Sequence, residues 1–505
     1  MARDILGQRI AKRRNGGVHV FKQKDFELKP TNRVLLVFWC KGDENDSDVI
    51  RSVLEMSGNQ AAEYLSEIMD NYESRHRKYR DVIVRNYQKI VRLRSDENLI
   101  PDFLEYDKKL LIGAMFTKEI SFENVATFNH SMVPHPDQSS LRDGELRVIV
   151  SQRSMGEGQF STISFVQAII DSECLIRMEN STLEEEFSSR YATVPSPLMV
   201  TRNDLVTAAV NLAVYSEIKY LISIMPDELK CDELEFHFYK LGMQVQLTRS
   251  QKEALDLIRL SLEDSYTTEF DSETSLTERV LFPSAPYEAG GMEDARFVRF
   301  VHDEGQVTYF ATYNAYDGRD AVPSLIETTD FVRFTISKLH GPEIMNKGFA
   351  LFPEKINGRY AMISRKDGRN IYIMFSYDLY RWGGSALLLQ PQWPGIVHMG
   401  NCGSPIRTDD GWLLITHDVA WKREYTISAA LLDLNDPTKI IGRLPCPLIV
   451  AQDEEREGLV PNVVYSCGSL VHNGYLCIPY AVSDSFSRYA KVNLRMVLDT
   501  LKQKK

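Results

Sequence analysis

The chain has 505 residues, 43% of them hydrophobic and 26% charged, with a formal net charge of -11. That balance is ordinary for a folded globular protein and excludes disorder as the main state. The acidic excess argues against broad nucleic-acid binding, and no apolar run approaches the roughly 18–20 residues of a membrane helix.

Residues 1–110 read as a mostly helical N-terminal extension. They open on a basic stretch, MARDILGQRIAKRRNGG, with no apolar segment of signal-peptide length, so a cytoplasmic location is expected. The seven scattered cysteines contain no C-x-x-C pair, which suggests neither a disulfide framework nor a zinc site and fits a reducing compartment. The run RVLLVFWC reads as a strand. Amphipathic helical spacing follows at Val49, Val53, Leu54 and Met56, and again from about Ala61 to Arg92. Residues 111–181 turn to short β-rich runs. A helical insertion is expected over 182–275, including LVTAAVNLAVYSEIKYLISI, and strand character returns over 276–505.

The β-rich parts contain an internal repeat: a glycine turn, an apolar strand, a polar loop and a second strand. The five instances begin at Gly144, Gly305, Gly358, Gly411 and Gly474, the last four spaced by 53, 53 and 63 residues. Repeated antiparallel units of this size are the signature of propeller blades, each burying its faces against its neighbours. A mainly β fold is therefore expected, a five-bladed β-propeller with the helical extension and insertion attached. A β-sandwich with irregular loops is the alternative, although it does not require near-equal spacing.

In a propeller the polar ends of the inner strands converge on one mouth. Recurring polar residues at matching phases are Asn129, Ser131 and Arg153; Glu293, Asp294 and Arg296; Lys347, Glu354 and Arg365; His398, Asn401 and His417; and Asp484. Taken singly, each has a structural explanation as a turn residue, surface ion pair or core histidine. Their recurrence places them together. Several cations with few carboxylates suit an oxyanion such as phosphate, and a carboxylate among them suits a general acid. Walker, dinucleotide-binding, H-E-x-x-H and G-x-S-x-G patterns are all absent.

The segments GGMEDARF, NKGFALFPEKINGRYAMISR, GNCGSPIRTDDGWLLITH and SCGSLVHNGYLCIPYAVSD resemble glycoside hydrolase family 130, over about residues 115–500 apart from the insertion. The resemblance implies a five-bladed propeller that acts on β-mannosides by an inverting route. One aspartate protonates the leaving oxygen through a sugar hydroxyl, and inorganic phosphate attacks the opposite face to release α-mannose 1-phosphate. The aspartate falls on Asp294. The phosphate-binding residues fall on Lys347, Arg365 and His417, and the sugar contacts on Asn129, Ser131, Arg153 and Asp484. No metal or organic cofactor is implied; phosphate is a co-substrate, and homo-oligomers are compatible with the resemblance. Two departures stand out. His398 occupies a phosphate-site position where many members carry lysine, and Asp418 follows the motif histidine in place of glycine. Glu293 reads as a structural partner of Arg296 or as a sugar contact. Two further readings stay open: an inverting β-mannosidase, using Glu354 or Asp418 to activate water, and a non-catalytic glycan-binding propeller.

Overall fold

The computed structural model describes residues 18–41, 44–76, 78–94, 99–101, 103–179, 199–211, 213–230, 237–238, 241, 247–392 and 395–503. Within these the protein is mainly β, with helices in two blocks and one more, Leu494–Lys502, after the last strand. Most of the β part forms five successive antiparallel meanders.

The first meander runs Ala126–Pro134, Leu146–Met155, Ser161–Ile170 and Ile176–Met178. The second runs Gly291–Val301, Val307–Tyr316, Ala321–Thr328 and Arg333–Lys338. The third runs Ala350–Leu351, Tyr360–Ser364, Ile371–Ser376 and Ser385–Leu389. In the fourth, Ile396–Asn401 and Ile406–Thr408 share the partner Gly411–Ala420, followed by Glu424–Leu432 and Ile440–Arg443. In the fifth, Val464–Tyr465 and Leu470–His472 share Tyr475–Val482, followed by Phe486–Asn493.

All five repeat glycines have left-handed backbone, with φ of 79°, 86°, 75°, 140° and 77° in chain order. Each stands at the turn into the second strand of its meander, where a side chain would strain the backbone. The sequence repeat is therefore the meander itself.

Packing between meanders is cyclic. Phe165 and Ile163 of the first pack on Phe297 and Phe334 of the second. Phe300 and Phe310 of the second pack on Met362 and Met374 of the third. Ile363 and Ile373 pack on Trp412 and Leu414 of the fourth. Leu413 and Ile415 pack on Leu476 and Ile478 of the fifth. Cys477 and Tyr489 of the fifth return to Val148 and Ala168 of the first. Alternation puts opposite faces of one strand into different interfaces, as Trp412 and Leu414 against Leu413 and Ile415 show.

The N-terminal region departs from its sequence reading. A strand missed there, Val20–Leu28, pairs with Phe486–Asn493 and forms the outer edge of the last meander. Its register shifts between Gln23 and Glu27, and its polar residues mask the alternation that would have announced it. The run read as a strand is Val34–Phe38, paired with Thr117–Ser121. The long pattern after Ala61 is two helices, Gly58–Tyr72 and Tyr79–Leu93, rather than one. With Glu44–Glu55 and Tyr106–Met115 they enclose two small cores.

In the insertion, helices Arg202–Asn211, Tyr215–Ser223 and Arg249–Glu263 share a core around Leu205, Ile218, Leu221 and Ile258. The expected helical span covers residues 180–198, which lie outside the described residues. Its last part is a strand, Ser265–Glu269, on the edge of the second meander.

Candidate functional site

Two matching irregularities build the centre of the site. The first strand of meander one shifts register between Phe128 and Ser131, and that of meander two between Glu293 and Arg296. Asn129 and Asp294 lie within these bulges, both with φ 55°. Bulges re-aim side chains, and non-glycine residues persist in this conformation only where the surroundings hold them. The two meet: Asn129 Nδ2 donates to Asp294 Oδ1 at 2.6 Å. Asn129 Oδ1 is buried without a partner.

Asp294 is 8% exposed and ringed by cations. Arg153 Nη1 is 3.4 Å from its Oδ1, and Arg296 Nη2 is 3.9 Å from its Oδ2. Burial pushes its pKa up, but Arg153, Arg296, Lys347 and the Asn129 hydrogen bond prevail and hold it below the usual aspartate value. Arg296 also donates to the Tyr465 hydroxyl at 2.5 Å. Glu293 is not the partner of Arg296 that the motif suggested. It pairs with Arg153 Nη2 at 2.7 Å and with Lys347 Nζ at 3.8 Å. Arg153 is further fixed by Ser161 Oγ at 2.8 Å and by the Phe128 ring, 4.9 Å from its guanidinium carbon.

The remaining basic residues gather on meanders three and four. Arg365 Nη1 faces His417 Nε2 at 3.4 Å. With Nε2 accepting from Arg365, the other ring nitrogen carries the proton and donates to the Asn401 carbonyl at 3.2 Å. Burial, then Arg365, Arg296 and His398, depress the His417 pKa well below its ordinary value, so its imidazole is neutral. His417 stacks on Tyr425 and meets Tyr465 edge-on. Gly400 makes room for it: a Cβ there would stand 2.5 Å from His417 Cε1 and 3.3 Å from Arg365 Nη1. Among the described residues Arg365 has no carboxylate within ion-pair distance, and its Nε is buried without a partner. His398 Nδ1 and Asn401 Oδ1 are likewise buried and unpartnered. Burial and Arg365 lower the His398 pKa, so it too is neutral near pH 7.

Asp484, φ 51°, follows the second strand of meander five. Burial and the negative charge of Asp294 raise its pKa to about 6, against the opposing pull of Arg153 and Arg423. Two carboxylates thus share the site with their proton affinities driven apart, an arrangement typical of acid–base centres. Sequence reasoning missed Tyr425, Tyr465 and Arg423. Tyr425 feels Arg365, Asp484, Arg423 and Asp294, and only its place opposite Val419 in the strand pairing brings it there.

Three residues considered from sequence sit elsewhere. Ser131 is fully buried and its hydroxyl is engaged with the Phe297 backbone, accepting from N–H at 3.0 Å. Glu354 is held by Arg407 at 2.9 Å. Asp418 lies on the opposite face of its strand from His417 and acts electrostatically on Arg443. Neither carboxylate stands in the Asp294 cluster as a base. Among the described residues no group of three His, Cys, Asp or Glu is placed to hold a metal.

Buried carboxylates near a guanidinium that has no acid partner among the described residues, on a β scaffold, suit acid-assisted chemistry in which an oxyanion takes part. The family model of glycoside hydrolase family 130, described as β-1,4-mannooligosaccharide phosphorylase, matches residues 239–503, just over half of the chain, and the chain belongs to this family. It is 32% identical over 231 residues to the β-1,2-mannobiose phosphorylase of Listeria innocua, covering 44% of this chain and 63% of that enzyme. It is 41% identical over 144 residues to the 1,2-β-oligomannan phosphorylase of Thermoanaerobacter sp., covering 28% and 48%. With the β-1,4-mannooligosaccharide phosphorylase of Ruminococcus albus it shares 30% identity over 220 residues, covering 41% and 64%. Each match spans less than two thirds of the relative's length.

Proposed function

We propose that this protein is an inverting glycoside phosphorylase, a glycosyltransferase-type enzyme that cleaves β-mannosides with inorganic phosphate to release α-mannose 1-phosphate. The five cyclically packed meanders are, in this reading, the blades of a five-bladed propeller, and the site is its mouth. The observation that carries the reading is Arg365: a guanidinium with no carboxylate partner among the described residues and an orphaned Nε, held against His417. Uncompensated, partly buried guanidinium groups favour a bidentate oxyanion.

Phosphate lies between Arg365 and Lys347 and is itself the nucleophile, so no carboxylate base is needed. Asn129 and Arg153 place the mannose ring, the free Asn129 Oδ1 accepting from a hydroxyl. Asp294 supplies the proton. In the free chain its cationic neighbours hold it ionised. Bound phosphate brings negative charge to those cations and raises the proton affinity of Asp294, so the acid takes up its proton once phosphate is bound. His417 acts through Arg365 and orients it as a neutral acceptor. Release of a phosphorylated sugar is useful within a cell, which supports a cytoplasmic location.

The test is incubation with β-1,2- and β-1,4-mannobiose, with and without phosphate. Phosphate-dependent formation of α-mannose 1-phosphate is expected. Release of free mannose at the same rate without phosphate would overturn the reading and favour a hydrolase.

A further inference from the structure

The turn joining Gly411–Ala420 to Glu424–Leu432 touches the site above only through the charge of Arg423. At its head Trp421 is 67% exposed, although its backbone is fixed. Ala420 pairs with Glu424, and the Trp421 N–H donates to the Gly395 carbonyl at 3.2 Å. The next two residues, Lys422 and Arg423, are both left-handed, with φ 65° and 59°. Consecutive non-glycine residues in that region are held against their own preference, and such strain gathers at functional positions.

The direction of the turn follows from strand alternation. Leu413 and Ile415 enter the interface with meander five, and His417 continues the same face into the site. Trp421 stands four residues further along, about 13 Å beyond His417 at strand rise, more than one sugar ring away. Arg423 lies close enough for its charge to act on both Asp484 and Tyr425. A rigidly mounted, water-facing indole with a guanidinium at its side matches a pyranose ring, whose C–H face is apolar and whose rim is hydroxyl.

We propose that Trp421 is the platform of a distal acceptor subsite, stacking on a sugar beyond the two that flank the cleaved bond, with Arg423 bonding to its hydroxyls. This rests on the reading of the mouth as a β-mannoside site, and it makes oligosaccharides rather than disaccharides the preferred substrate class.

The experiment compares kcat/KM for a disaccharide and a tetrasaccharide of the same linkage, in the β-1,2 and β-1,4 series, at saturating phosphate. Wild type, Trp421→Ala and Trp421→Phe are measured. In Trp421→Ala the tetrasaccharide-to-disaccharide ratio falls about tenfold, chiefly through KM, and Phe restores most of it. An unchanged ratio, or an equal loss on both substrates, overturns the subsite while leaving the reaction intact. If wild type cleaves neither length in either series, the reading of the mouth fails, and the subsite with it.

Discussion

Asn129 and Asp294 come from different meanders, yet each sits in a bulge at φ 55°, and they meet at 2.6 Å. The bond fixes one carboxylate oxygen and leaves the acid's other oxygen beside Arg296. Asp294→Asn keeps the shape but removes the transferable proton. Turnover falls by at least about 100-fold, the scale of general acid catalysis, while the folded far-UV circular dichroism spectrum is retained. Asn129→Ala removes the positioning bond together with the acceptor for a mannose hydroxyl, so kcat falls by about 10-fold and the KM for mannoside rises. Equal losses in the two variants, measured by initial rates, would deny Asp294 a separate chemical role.

The pairing of Arg365 with His417 predicts a different kinetic signature. His417→Gln keeps an acceptor for the guanidinium, whereas His417→Phe does not. The KM for phosphate rises about 10-fold in His417→Phe and less in His417→Gln, with a smaller change in the KM for mannoside. Gly400→Ala crowds both side chains at once and gives the same phosphate-specific defect. A rise in mannoside KM alone would place the pair outside the phosphate site.

Much of this arrangement was legible in the sequence because motif and repeat coincide. The five turn glycines mark the meanders, and Asp294, Lys347 and Arg365 occur at matching phases of them. What was not legible depends on non-local geometry. Glu293 is next to Asp294 in sequence but pairs with Arg153, 140 residues away. Ser131 shares a strand with Asn129, yet the bulge between them turns its hydroxyl to the Phe297 backbone. Tyr465 has no motif of its own and reaches the site only through Arg296 and His417. His417 was read as a cation, but burial among other cations keeps it neutral.

Asp484 gives a pH-dependent prediction. Its folded pKa, about 6, lies above the 3.8 of an ordinary aspartate. The folded chain therefore binds this proton more tightly than the unfolded chain. The stability it contributes is full below about pH 4 and is lost as pH rises through about 6, by order 1–3 kcal/mol. Asp484→Asn stays uncharged throughout and escapes that loss. Thermal melts show the variant more stable than wild type at pH 7.5, by a margin that shrinks to about a third at pH 4.5. A gain of the same size at both pH values would contradict the raised pKa.

The edge strand Val20–Leu28 is clamped by one carboxylate. Glu455 is fully buried and takes Lys22 Nζ, Arg488 Nη1 at 3.2 Å and the Tyr480 hydroxyl at 2.8 Å. Removing its charge leaves Lys22 without its buried partner and Arg488 with Glu27 alone, and losing one partner of a buried pair costs about 3–5 kcal/mol. Glu455→Gln therefore lowers the urea midpoint markedly, and adding Lys22→Met, which removes one stranded charge, recovers part of the loss. The two changes are in contact, so their effects are non-additive. Strict additivity, or a loss below about 0.5 kcal/mol for Glu455→Gln, would mean that the strand is held by its backbone ladder alone.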